Sequence, residues 1–194
     1  GLFLYDHMGG RQVLPATKTL NLRSSKEGRP LKSSFTKAFE YSDCWIEDSR
    51  LVTLNAQDAK QRGATILTRT KVVSTHRQAD HWIVTLEDQN TQVRHEITTR
   101  MIVNAAGPWV GELLGRTLGL KTNEGVRLVR GSHIVTHKLF DHDKAYFFQG
   151  TDGRIIFAIP YENDFTLIGT TDQEHLDPNA PVECTAEEQA YLLN

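Results

Sequence analysis

The sequence predicts a mixed α/β fold, in which a strand–helix–strand unit, an antiparallel meander and a second antiparallel sheet follow one another. Three observations predict it. Ala38–Ile46 alternates large and polar residues, a helical pattern with Leu51, Leu54, Ala56 and Ala59 follows, and Thr65–Thr68 is a short apolar run. Between Lys71 and Ile97, three strand-like runs are divided by polar turns. After Gly119 the chain is again strand-rich, with hairpin turns at Thr151-Asp152-Gly153 and Tyr161–Asp164.

Taken in order, Gly1–Asp6 reads as the tail of a helix. Residues 10 to 37 are rich in Gly, Lys, Arg, Ser and Thr with Pro15 and Pro30, which predicts a long, irregular, basic surface segment. Asp48 or Ser49 can cap the next helix, Gly63 ends it, and the strand–helix–strand order predicts parallel pairing in that part. Val72–Thr75, Trp82–Leu86 and Val93–Ile97 form the meander, with one wet face. Val126–Val135 is a period-two run interrupted by Gly131, and Tyr146–Phe148, Ile155–Pro160 and Phe165–Asp172 are three further strands. Thr185 is an N-cap for an amphipathic final helix, where Glu187 and Glu188 suit the dipole. Neither end reads as a natural terminus, so the expectation is an internal piece of a longer protein. Its predicted parts are 1–37, a helix end and basic loop, 38–119, and 120–194.

The meander hands the chain to its central stretch. Met101–Val103 reads as a strand buried on both faces, Ala105–Gly107 are small, and Pro108 stands where a first helical turn needs no N–H. Val110, Leu113, Leu114 and Leu118 then fall at helical spacing before Gly119. Such a junction can hold an anionic cofactor at a helix N-terminus, or it can be an ordinary tight turn; spacing leaves both open.

Composition excludes several classes. With 39% hydrophobic and 24% charged residues among 194, this is a globular sequence long enough for one large domain or parts of two. A net charge of -2 predicts no general attraction to nucleic acid. Cys44 and Cys184 form neither a disulfide framework nor a zinc motif, and no apolar run is long enough to span a bilayer.

Among residues that carry chemistry, His133 is the most suggestive. Strand alternation places Arg127, Val129, Gly131 and His133 on one face and Arg130 on the other. An imidazole beside an arginine can take a hydroxyl proton and hold an anion, although a structural histidine with a solvent-facing arginine fits the same spacing. The other histidines show no metal-ligand spacing, and His142 between Asp141 and Asp143 reads as a charged surface turn. Asp43 beside Cys44 suggests a structural cysteine rather than a thiol site. No Gly-rich phosphate loop is present.

Phe39-Glu40-Tyr41-Ser42-Asp43-Cys44-Trp45, Val103-Asn104-Ala105-Ala106-Gly107-Pro108-Trp109-Val110, Arg127–Val135 and Ile168-Gly169-Thr170-Thr171-Asp172 together resemble one family. It is the aerobic, FAD-dependent glycerol-3-phosphate dehydrogenases, within the D-amino-acid-oxidase-like flavoproteins. Order and spacing match over nearly the whole chain.

The resemblance implies that 38–119 is part of a Rossmann-like FAD-binding domain carrying the meander, and 120–194 an antiparallel substrate-binding region. It implies cofactor contacts from the Val72 backbone, to the adenine edge, and from Ala105, Ala106, Gly107 and Trp109 along the flavin. Family members often carry Thr where this chain has Ala106, so the backbone carries the role there. His133 matches the active-site histidine near the C2 hydroxyl, with Arg127 and Thr171 as further substrate contacts. The implied reaction converts sn-glycerol 3-phosphate to dihydroxyacetone phosphate, hydride passing to FAD and electrons to a quinone. Implied surroundings are the cytoplasmic face of a membrane, bound peripherally, and a homodimer. The family's Gly-rich loop and further basic residues match no positions here, so this chain alone is expected to bind FAD weakly and to turn nothing over. A flavin oxidase using oxygen, including an amino-acid-type relative, and a non-enzymatic module of the same fold remain alternatives.

Overall fold

The computed structural model describes residues 2–8, 13–119 and 126–194. Along the chain run α1 (Leu2–Met8), β1 (Lys18–Asn21), β2 (Lys37–Glu40), α2 (Asp48–Gln61), β3 (Thr70–Gln78), β4 (His81–Asp88) and β5 (Arg94–Thr99). Then come α3 (Val110–Glu112), β6 (Val129–Arg130), β7 (His133–His137), β8 (Tyr146–Gln149) and β9 (Ile155–Tyr161). The last are β10 (Phe165–Gly169), β11 (Gln173–Glu174) and α4 (Ala186–Leu193). They fall into two compact units, each discontinuous in sequence. One comprises Gly1–Thr53, Ser132–Thr171 and Cys184–Asn194, the other Leu54–Gly131 and Asp172–Glu183. The predicted boundary at residue 120, and residues 10–12 of the basic segment, lie outside the described residues.

In the first unit, β7-β10-β9-β8 form a four-stranded sheet whose pairings are all antiparallel. Its hairpins follow from local chemistry. At the β8–β9 turn the Asp152 carboxylate accepts the Arg154 N–H at 3.1 Å, and short apolar runs flank it. One face is covered, with Thr166 and Ala158 buried on it. The other carries a cross-strand row, Phe147, Phe157, Gly169 and His133, set by the pairing register. The basic segment is less irregular than predicted, because β1 within it pairs antiparallel with β2.

A polar clamp joins that β1–β2 ribbon to the sheet. The Lys144 ammonium donates to Glu27 at 2.8 Å and to Glu40 at 2.7 Å. Beside it the Tyr146 hydroxyl donates to the Glu27 carbonyl at 2.5 Å, so it must accept from His142 Nε2 at 2.7 Å. His142 is therefore no surface turn: it is buried, stacked on Phe140 with centroids 4.6 Å apart, and burial pushes its pKa down. Two exposed aspartates flank an inward ring, which charge counting alone does not reveal.

In the second unit β3-β4-β5 form the predicted meander, with Val84 and Leu86 buried on one face of β4. The Asp88 carboxylate accepts the Asn90 and Thr91 N–H groups at 2.8 and 2.9 Å, closing the β4–β5 turn. β6 pairs antiparallel with β11. Two predicted strands are absent: neither Thr65–Thr68 nor Met101–Val103 is extended in a ladder. Met101 and Val103 are 73% and 80% exposed, and no described strand pairs with either run. An apolar run becomes a strand only through its neighbours' N–H and C=O groups, and the predicted parallel pairing is accordingly not formed among the described residues. α2 forms where predicted, with none of its residues buried. Among the described residues no helix is long and apolar enough to cross a membrane.

The clamp yields a stability prediction. The Lys144 ammonium holds the Glu27 carboxyl down at about 2 by hydrogen bonding, so Lys144→Met strands a buried carboxylate. Urea unfolding is expected to show a loss of about 1.5–3 kcal/mol. A midpoint equal to wild type would show that Glu27 reaches solvent without rearranging the ribbon.

Candidate active site

His133 opens β7, directly opposite Gly169, which closes β10. The residue is exposed, and its ring stands close against Gly169: a β-carbon at 169 would sit 2.2 Å from Cδ2 and 2.8 Å from Nε2. Only glycine leaves that seat open. Below the pair, the Ser132 N–H donates to Thr171 Oγ1 at 2.8 Å and the Thr171 N–H to the Ser132 carbonyl at 3.3 Å. Both hydroxyls, Thr171 at 2.7 Å and Ser132 at 2.9 Å, donate to one carboxylate oxygen of Glu188.

Glu188 belongs to α4, and its other oxygen accepts the Thr185 N–H at 2.9 Å while Thr185 Oγ1 accepts the Glu188 N–H at 3.2 Å. This capping box was legible only as an N-cap with acidic neighbours; that Glu188 turns inward was not. The carboxyl is held at about 2, first by the Thr185 N–H and against the opposing effect of burial. Thr171, expected to touch substrate, is thus 3% exposed with its hydroxyl committed to this junction.

The cofactor candidates lie in the other unit. Asn104 organises their turn: Nδ2 donates to the Val110 carbonyl at 3.0 Å, and Oδ1 accepts the Ala106 N–H at 3.2 Å. Gly107–Trp109 follow as a 3₁₀ turn with Pro108 in its first positions, then α3 and a wider π-type turn, Leu113–Thr117. Gly107 stands at φ +54°, and a β-carbon there would meet no atom of the described residues within 4 Å. Ala105, Gly107 and Trp109 are exposed, and Trp109 Nε1 donates to Asn179 Oδ1 at 2.9 Å. Val72 lies on β3 beside a bulge, where the register shifts between Val72 and Ser74. The same strand is tied to the π-type turn through Thr75 Oγ1, which donates to the Thr117 carbonyl at 2.8 Å.

One expectation about faces changes. β6 ends at Arg130 and β7 begins at His133, each in its own unit, so Arg127, Val129, Gly131 and His133 do not share one strand face. Gly131 marks a change of sheet, and a period-two run across it cannot be read as one strand. Arg127 is exposed just before β6. Among the described residues no three His, Cys, Asp or Glu side chains converge as a metal set.

A family model described as DAO, FAD dependent oxidoreductase, matches residues 5–194. The chain belongs to that family. In the turn that the resemblance assigns to the flavin, a β-carbon at Gly107 would meet no atom of the described residues within 4 Å, which is room of the kind a flat ring system needs. The chain is 47% identical over 193 residues to the D-erythritol 1-phosphate dehydrogenase of Brucella abortus, covering 100% of this chain and 38% of that protein. Over 193 residues it is also 47% identical to the glycerol-3-phosphate dehydrogenase of Pseudomonas aeruginosa, covering 100% and 37%. The solved glycerol-3-phosphate dehydrogenase from Bacillus halodurans, complexed with FAD, superposes with a TM-score of 0.74 at 31% identity, over 91% of this chain and 36% of that one. The chain thus spans little more than a third of the length of these relatives.

Acid should act through Glu188. Its folded value lies below the ordinary 4.5, so the ionised carboxylate contributes stability above that value. The contribution is lost as pH falls toward about 2. Glu188→Gln is expected to be less stable at neutral pH, with a flatter loss on acidification. Urea midpoints between about pH 6 and 2.5 test this, and parallel curves for the two proteins would refute it.

Proposed function

We propose that this chain serves an enzyme oxidising sn-glycerol 3-phosphate to dihydroxyacetone phosphate, with a quinone as final electron acceptor. The observation that carries the reading is the exposed His133 imidazole seated on Gly169, in a family whose chemistry is redox. When bound, FAD supplies the acceptor for the hydride that leaves C2. His133 takes the C2 hydroxyl proton, because an imidazole can both receive a proton and release it. The Ser132–Thr171–Glu188 network holds the strand ends that carry the ring, which keeps the base oriented between turnovers. Ala105–Trp109 hold the flavin through backbone and Trp109, and Val72 holds the adenine edge through its backbone. Arg127 contributes to the phosphate.

The P. aeruginosa and B. halodurans relatives support glycerol 3-phosphate. The B. abortus relative, equally identical, favours a second reading in which the substrate is a polyol monophosphate one carbon longer. A peripheral seat on a cytoplasmic membrane, reached through basic residues between Arg23 and Lys37, and a homodimeric state complete the proposal.

The test uses the full-length flavoprotein without oxygen. Addition of sn-glycerol 3-phosphate is expected to bleach the flavin absorbance rapidly, and His133→Ala to slow bleaching by roughly 10²–10⁴-fold. Faster bleaching by D-erythritol 1-phosphate would move the substrate to the longer polyol. A fully loaded flavin that neither compound bleaches would sink the dehydrogenase reading.

A further inference from the structure

We propose that Gly169 is a positioning residue for His133, holding the imidazole in its working orientation by lacking a β-carbon. The inference rests on the dehydrogenase reading of His133 and concerns what places that ring.

The geometry is tight. A β-carbon on residue 169 would lie 2.2 Å from Cδ2, 2.6 Å from Cγ and 2.8 Å from Nε2 of His133, closer than such atoms pack. Relief through the backbone is blocked on both sides of the pair. β7 and β10 are in register from Phe165–His137 to Gly169–His133. Beyond the pair the Ser132 N–H is bonded to Thr171 Oγ1 at 2.8 Å, and both residues bond to the buried Glu188 carboxylate. On the other flank of Gly169 stands Phe157, packed edge-on against Phe147 with centroids 5.2 Å apart. A methyl group therefore displaces the ring, and because Cγ itself would lie only 2.6 Å away, the displacement includes rotation about χ1 and not a turn about χ2 alone. An ordinary strand residue at 169 would turn the base away while leaving the sheet intact.

The experiment compares wild type, Gly169→Ala, His133→Ala and the double variant, all as full-length flavin-loaded enzyme with sn-glycerol 3-phosphate. Gly169→Ala is expected to lower kcat roughly 10- to 100-fold, with KM held within about 3-fold and the flavin spectrum unchanged. Because Gly169 acts through His133, the double variant should be no slower than His133→Ala. Wild-type kcat in Gly169→Ala, or losses that multiply in the double variant, would overturn the proposal. If Gly169→Ala alone does not fold, folding of the double variant supports the ring contact, and failure of both assigns the glycine to the backbone and overturns it. A His133→Ala enzyme with wild-type turnover instead removes the role given to His133, an outcome distinct from failure at Gly169.

Discussion

A carboxylate shut away from water is tolerated only when donors surround it, and Glu188 meets that condition with groups from three parts of the chain. The Ser132 and Thr171 hydroxyls reach one oxygen and the Thr185 N–H the other. One side chain therefore starts a helix and fixes where two strands meet. His133 follows Ser132 directly, and one residue separates Gly169 from Thr171, so the imidazole inherits its position from this buried charge. Charge-assisted bonds suit the purpose because they are directional and costly to break. A purely apolar joint would leave the same strand ends free to slide.

The opposite side of the same unit repeats the device with the signs reversed. There a cation, Lys144, sits between Glu27 and Glu40 and joins the β1–β2 ribbon to the start of β8. Its ammonium holds the Glu27 carboxyl well below its ordinary range, while Tyr146 beside it is pushed up to about 12, first by burial and then by Glu27. Between the two polar joints the sheet has one covered face and one open, aromatic face that ends at His133. That asymmetry follows from strand alternation, and it presents the imidazole on the accessible side.

What could be read from the sequence divides by the range of the interaction responsible. The meander, the β8–β9 hairpin and α2 were legible because Asp88, Asp152, Gly63 and period-two runs act within a few residues. Met101–Val103 and Thr65–Thr68 failed as strands for the opposite reason: an apolar run specifies burial, while a strand needs partners that periodicity cannot supply. The β1–β2 pairing was hidden because Lys18–Asn21 carries almost no alternation of its own. Gly131 read as an interruption within one period-two run and proved to be the point where the chain changes sheets. In the site, the family motifs picked out His133 and the Ala105–Trp109 turn. They could not show that Thr171 faces Glu188, or that Asn104 clamps the turn from Ala106 to Val110.

The histidines show why residue type and spacing fall short of assigning a base. His142 donates to Tyr146 and stacks on Phe140, and burial pushes its pKa down. His81 is paired with Asp80, and His137 lies over Phe165 with centroids 6.0 Å apart. Each is occupied by a neighbouring side chain. His133 instead stands against the Gly169 backbone, and among the described residues no hydrogen bond takes up its ring nitrogens. A base needs that combination: orientation must be set, since misplacement is costly to catalysis, and the nitrogens must stay available to substrate. A glycine opposite a histidine in a ladder satisfies both at once. Residues 36 apart in sequence bring it about, so the signal lies in strand register and not in any local motif.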